Sequence, residues 1–204
     1  IALALVGAAW FFTLYAICGN VNNISKNAIG CKKNYNPTPA EPTVNPTSSN
    51  CPSPVPSGYP VVGSNSLSAG GGGKCKYEYV CHDGTPVVKT ANCKITSADI
   101  CQGSETTQKT REYVKKLGDG CDKDDAGHIL AHNLGGSGSS QINIFPQGKN
   151  LNRGKWEAFE SNISDCLSDK ENSGATLSWE FNYESNKKLR PESASYKVEY
   201  KKTK

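Results

Sequence analysis

Near its C-terminal end the chain alternates apolar and polar residues with a period of two. Leu177, Trp179, Phe181 and Tyr183 fall on one face, and Tyr196, Val198 and Tyr200 on another. This is the pattern of half-buried strands, and the loop holding Arg190-Pro191 between them predicts a terminal hairpin. An earlier pair reads the same way: residues 76–80 alternate polar and aromatic side chains, Asp83-Gly84 is a hairpin-turn dipeptide, and 86–94 returns as a second strand. Between these pairs the period lengthens. From Asn150 onward Leu151, Trp156, Phe159, Ile163 and Leu167 share one helical stripe. Residues 104–117 predict another helix, with Ser104 as N-cap, Glu105 in the first turn, Lys115 and Lys116 in the last, and Gly118 as the stop. Residues 126–132 alternate, so a strand is expected with His128, Leu130 and His132 on one face and Ile129 and Ala131 on the other. A turn over 133–141 and a return strand over 142–145, closed by Pro146, complete the series. Runs of strands with helices set apart from them predict an α+β fold around an antiparallel sheet.

The first part of the chain does not follow this pattern. Residues 1–18 carry no charge and precede a polar run over 19–26, the pattern of a secretory signal cleaved beside Gly19. An uncleaved anchor is the other reading, since 18 apolar residues lie at the lower edge of a membrane span. Residues 19–73 are read as a linker: from Asn34 they are dominated by Pro, Ser, Thr, Asn and Gly and end in four glycines, too little apolar surface to fold alone. The folded domain is expected over 74–204.

Cysteine usage supports export. Of nine cysteines, Cys18 would leave with the signal, and Cys31, Cys51, Cys75, Cys81, Cys93, Cys101, Cys121 and Cys166 remain. An even number in an exported chain points to disulfides; no CxxC occurs, which argues against a zinc ribbon or redox motif. Eight cysteines permit 105 connectivities, and spacing does not choose among them. Asn23 and Asn162 head N-x-S glycosylation acceptors, the second on a predicted helix. Net charge is +4 and evenly spread, with no basic block marking a nucleic-acid surface. His82, beside the hairpin turn, reads as structural.

The chemistry concentrates in residues 124–160. An acidic residue and a glycine precede His128, a glycine-rich turn follows at 135–138, and Asn143, Gln147, Asn152 and Glu160 come after it in order. His128 and His132, four apart, do not make a zinc-protease pair, because the residue after His128 is Ile129 rather than the glutamate base. Helical spacing sets Asn152 within about 40° of Trp156, on the buried side, and Glu160 about two turns further.

This order resembles the DNA/RNA non-specific endonucleases, a ββα-metal (His-Me finger) family with the signature DxGH, NxxPQ, LNxGxW and a following glutamate. Here the blocks are Asp125 to His128, Asn143 to Gln147, and Leu151 to Trp156 with Glu160. The resemblance implies a ββα-metal finger packed on an antiparallel sheet, and a secreted, sugar-non-specific endonuclease that hydrolyses DNA or RNA. It implies His128 as general base, Asn152 as ligand of one Mg²⁺ (or Mn²⁺), and Glu160 orienting water bound to that ion. Arg111 and Arg153 would contact phosphate, with Lys149 as a further source, while Asp125, Asn143 and Gln147 would brace the finger. Two positions depart from the pattern. Ala126 stands where better-studied members carry arginine, and Ser164 where some relatives place another. Nucleic acid is the implied partner, with no stable membrane partner once the signal is cleaved. The competing reading is a secreted, disulfide-rich binding module or an inactive nuclease-like protein, which leaves the ordered polar set unexplained.

Overall fold

The computed structural model describes the backbone of residues 12–15, all of 63–118 and 124–203, with residues 63–65 described by backbone only. The remainder of the proposed signal and linker, with Cys31, Cys51 and Cys121, lies outside the described residues.

A six-stranded sheet carries the fold. In chain order its strands are β1 (Phe12–Tyr15), β2 (Gly63–Ser68), β3 (Lys74–His82), β4 (Thr85–Ile95), β7 (Asn172–Asn182) and β8 (Ser193–Lys202). They lie in the order β1-β8-β7-β4-β3-β2, antiparallel except where β1 runs parallel to β8. Both predicted hairpins are present. Asp83 and Gly84 take φ of 47° and 71°, the left-handed pair that a two-residue turn needs. His82 is buried, with Nδ1 2.7 Å from the Lys188 carbonyl and its ring edge-on to Tyr183, so it pins this turn to the far loop.

Residues 63–73, the end of the stretch read as a linker, belong to the sheet. Leu67 and Ala69 are buried, and the glycines bend back onto Asp99, whose carboxylate accepts from Gly71 N (3.0 Å), Gly73 N (2.9 Å) and Thr96 N (2.8 Å). Cys75 and Cys93 face each other across β3 and β4 and are disulfide-bonded; Cys81, Cys101 and Cys166 are also half-cystines.

On one face of the sheet lie α1 (Gln108–Leu117), a two-stranded ribbon of β5 (Asp124–His128) and β6 (Ile144–Gly148), and a long helix. That helix starts as α2 (Lys149–Leu151), widens to a π turn at Asn152–Trp156, and continues as α3 (Glu157–Ser168). An aromatic cluster docks it. Trp156 packs against Phe145 and Tyr196, Phe159 meets Tyr196 edge-on at 4.9 Å, and Phe145 meets Phe181 at 5.0 Å. Each fully buried phenylalanine or isoleucine here stabilises the fold by roughly 1.5–3 kcal/mol. The architecture is α+β, as the alternation predicts.

Three local expectations change. Helix α1 starts later than 104, capped by Thr107, whose hydroxyl and Thr110 form a reciprocal capping box. Its predicted first turn is instead an extended strap: Ser104 N donates to Gly136 O and Ser104 Oγ accepts from Gly138 N, so its polar groups serve the glycine-rich loop. Strand β5 ends at His128 rather than 132. Ile129, Leu130 and Ala131 are all buried, which strict alternation forbids, and the chain turns into a 3-10 segment at His132–Leu134. Strand β6 begins after a 3-10 turn (Gln141–Asn143) and passes through Pro146 opposite Ala126; a two-stranded ribbon has only edges, and an edge tolerates proline.

Candidate active site

Six residues singled out in the sequence line one open cavity of about 360 Å³: Arg111 from α1, Asp125 and His128 from β5, Asn152 and Arg153 from the π turn, and Glu160 from α3. The ribbon and the helix leaving it are antiparallel neighbours, so side chains distant in sequence meet at their junction.

His128 sits where β5 ends. Its Nε2 lies 3.0 Å from the Ser104 carbonyl oxygen. A carbonyl only accepts, so Nε2 carries the proton and donates, which leaves Nδ1 as the lone-pair nitrogen. Burial pushes the imidazole pKa down to about 4; the Ser104 bond and Glu105 oppose the shift and His132 adds to it. The ring is therefore neutral around pH 7, the state a general base requires. Gly127, just before it, has no room for a side chain, since a Cβ there would stand 2.2 Å from Gln147 Oε1.

Two carboxylates on β5 are held by arginines from opposite sides. Asp125 accepts from Arg153 Nε (2.7 Å) and Nη2 (2.8 Å) and from Asn152 Nδ2 (3.1 Å), and the Arg153 contact holds its carboxyl below the usual range against the effect of burial. Asp125 thereby ties β5 to the helix. It also orients Asn152: with Nδ2 committed, Oδ1 is the end left to accept or to ligate. Asp124 is gripped by Arg190 at 2.5 and 2.8 Å, with side chains only 4% and 19% exposed. That pair links the ribbon to the loop before β8 and has no sequence signature, because the two residues stand 66 positions apart.

The π turn sets the helical side of the site. At 100° per residue, eight positions would leave Asn152 and Glu160 about 80° apart. A π turn uses an extra residue, which removes most of that offset, and π turns are frequent at functional positions. Both side chains line the cavity, while Trp156 alone goes to the core. Asn152 is half-buried beside the cavity rather than on the buried stripe that α-helical spacing predicts. Glu160 is buried, and its Oε1 has no hydrogen-bond partner. Burial raises its pKa well above the carboxylate range; the Trp156 indole works against this and Glu157 with it.

Asn143 and Gln147 stand behind the cavity. The Asn143 amide is fully used: Oδ1 accepts from Leu130 N (2.9 Å) and the Tyr77 hydroxyl (2.8 Å), and Nδ2 donates to the Leu130 (2.9 Å) and Ser137 (3.1 Å) carbonyls. It fixes the bend after His128. Gln147 is buried against Gly127 with both amide atoms unpartnered. Arg111 donates to the Thr106 carbonyl (2.5 Å) and hydroxyl (3.2 Å), which holds it at the rim. Ala126 lines the cavity, and Ser164 is buried on α3. Glu105 and His132 also line it, although the sequence offered one as a helix-start residue and the other as a strand neighbour of His128.

No group of three or more His, Cys, Asp or Glu that would hold a metal occurs among the described residues. What the donors fit is a hard, hydrated cation held by few protein oxygens: Asn152 Oδ1 is uncommitted to Asp125, and the buried Glu160 carboxylate lacks a partner for Oε1.

Over 126 residues the chain is 33% identical to the "Probable deoxyribonuclease RhsA" of Dickeya dadantii (strain 3937), a match that covers 62% of this chain and 8% of that much longer protein. The model of the DNA/RNA non-specific endonuclease family matches residues 77–204, which takes in every strand from β4 to β8, α1, the ribbon and the long helix. On that match the chain belongs to the DNA/RNA non-specific endonuclease family.

Proposed function

We propose that this domain is a metal-dependent endonuclease that hydrolyses phosphodiester bonds through a ββα finger formed by β5, β6 and the helix after them. The observation that carries the reading is the tautomer of His128: Nε2 is committed to the Ser104 carbonyl, and Nδ1 belongs to a ring whose pKa lies at about 4, beside Asn152 and Glu160.

In the proposed reaction Nδ1 accepts a proton from a water as its oxygen bonds to phosphorus, and the bond from phosphorus to the 3′ oxygen breaks on the opposite side. Asn152 Oδ1 and Glu160 would hold Mg²⁺, or Mn²⁺ in its place, which supplies charge neutralisation at the phosphate and at the departing oxygen. Asp125 keeps the Asn152 amide turned the right way, and the Ser104 carbonyl keeps Nδ1 unprotonated. Glu160 orients water on the helical side of the cavity. Arg111 at the rim and Arg153, when it shares its guanidinium with substrate, contact the flanking phosphates.

The named relative makes DNA the first substrate to try, with RNA beside it. The protein would act outside the reducing cytosol, a reading supported by the Cys75–Cys93 disulfide and the three further half-cystines. The test is plasmid nicking and RNA degradation by the oxidised chain with Mg²⁺ or Mn²⁺, with and without chelator. Cleavage that stops with chelator and is lost in His128→Ala is expected. A variant that cuts as fast as the parent removes His128 as the base, and a parent that binds but never cuts returns the protein to the binding-module reading.

A further inference from the structure

The charges around the cavity are poorly matched to a polyanion. Four carboxylates line it, Glu105, Asp125, Glu157 and Glu160, against two guanidiniums. One of these, Arg153, is paired with Asp125 through two hydrogen bonds, and the other, Arg111, donates to Thr106. Ala126 adds no charge beside the base. One more basic side chain reaches the same space, His132.

The chain holds the backbone of His132 and leaves its ring open. Its carbonyl accepts from Gly103 N (3.1 Å) and Gly135 N (3.2 Å), which fixes the 3-10 turn it starts. Its side chain is 44% exposed, and its ring centroid lies 5.9 Å from that of His128. Nε2 stands 3.5 Å from Glu105 Oε1, beyond the 2.7–3.2 Å of a made hydrogen bond, so the exposed carboxylate sits behind the imidazole without clamping it. The titratable groups that face His132 are His128 from β5 and Glu105 from the strap before α1. Farther round the cavity stand Arg111 of α1, Asp125 of β5, and Arg153, Glu157 and Glu160 of the helix.

Building on the assignment of His128 as base, we infer that His132, backed by Glu105, is a phosphate-contacting residue of this site: a ring N–H donates to a non-bridging oxygen of the phosphodiester. The two imidazoles then divide the work. His128, neutral and anchored through Nε2, accepts the proton of the attacking water, and His132, loosely held, gives the phosphate a hydrogen bond that Arg153 does not supply while bound to Asp125. No proton moves from His132 in this scheme; it binds, and the bond changes are those already described.

The experiment measures kcat and KM of the full oxidised chain on a labelled duplex oligonucleotide with Mg²⁺ near neutral pH. His132→Gln keeps size and removes the imidazole. It is expected to raise KM and lower kcat/KM by about 10- to 100-fold, the size of a lost charge-assisted hydrogen bond. His132→Arg supplies a cation that does not titrate. It should recover most of the loss. Equal activity of His132→Gln and parent overturns the inference, and so does equal impairment of the Gln and Arg variants. Either result, with His128→Ala still inactive, leaves the assignment of the base standing. An active His128→Ala removes that assignment itself.

Discussion

Two buried carboxylates, Asp99 under the sheet edge and Glu160 in the cavity wall, show how the two halves of this molecule differ. Asp99 accepts from three backbone N–H groups and closes the turn between β2 and β3. Glu160 is buried too, yet its Oε1 accepts from none, and burial is the main cause that drives its pKa up. The amides divide in the same way: all four hydrogen-bonding contacts of Asn143 are made within the chain, whereas Asn152 commits one end to Asp125 and turns the other to the cavity. A buried polar group left unsatisfied costs about 1–3 kcal/mol. Asp99 and Asn143 avoid that cost and Glu160 bears it, which is the behaviour of a wall shaped for a ligand; Gln147, behind the cavity, is likewise left open. Within these two pairs residue type does not separate the enclosed group from the open one; hydrogen-bond completeness does.

The comparison predicts that changes in the wall act on chemistry and changes in the body act on stability. The largest effect belongs to His128→Ala, which should lower kcat/KM by about 10²–10⁴-fold with an unchanged melting temperature. In the parent, activity should rise with pH through about 4, where His128 becomes neutral, and level off above it; a limb set instead near the free histidine value would show that burial does not control the base.

In the body, Arg190→Ala leaves Asp124 buried without its partner and should destabilise the fold by about 3–5 kcal/mol in urea denaturation. If stability holds and only cleavage falls, Arg190 belongs with the wall. Replacing Cys75 and Cys93 together by Ser opens a loop with a sequence separation of 18, worth about 3 kcal/mol on the chain-entropy estimate. The double variant should keep its cleavage rate below its lowered melting temperature, which an activity assay at low temperature checks.

The smallest and most diagnostic change is Glu160→Gln. The carboxyl has a higher pKa folded than unfolded, so its contribution to stability is complete below the unfolded value and is lost as pH rises toward the folded one. Near neutral pH the glutamine variant without metal should therefore be at least as stable as the parent. Mg²⁺ should raise the melting temperature of the parent more than that of the variant, and the apparent affinity for Mg²⁺ should fall by about 10- to 100-fold. A variant less stable than the parent in chelator, with the same response to Mg²⁺, would place Glu160 with Asp99 as scaffold.

Much of this was readable in the chain. The two alternating pairs gave both hairpins, the switch to helical period gave the long helix, and two of the three short blocks, with the glutamate after them, named Asp125, His128, Asn152, Arg153 and Glu160, which share one cavity. The parts that were not readable have identifiable causes. Ser104 looks like an N-cap, but its hydroxyl and backbone are taken by the loop at 136–138, so α1 starts later. Residues 126–132 alternate, yet the Asn143 amide bends the chain after His128 and buries Ile129, Leu130 and Ala131 together. Residues 63–73 have a linker's composition, and they are ordered by one distant carboxylate.

The sequence by itself determined the elements and the inventory of the site, because periodicity and short-range motif order are properties of neighbours along the chain. Only the tertiary structure decided which polar groups would be completed and which left open. It placed Arg190 on Asp124 across 66 positions, used a π turn to bring Asn152 and Glu160 to one cavity, and set His132 beside His128 at a bend. The physical reason is that a hydrogen bond or a buried charge has its energy fixed by partners in space, and those partners come from strands and loops that sequence separation does not reveal.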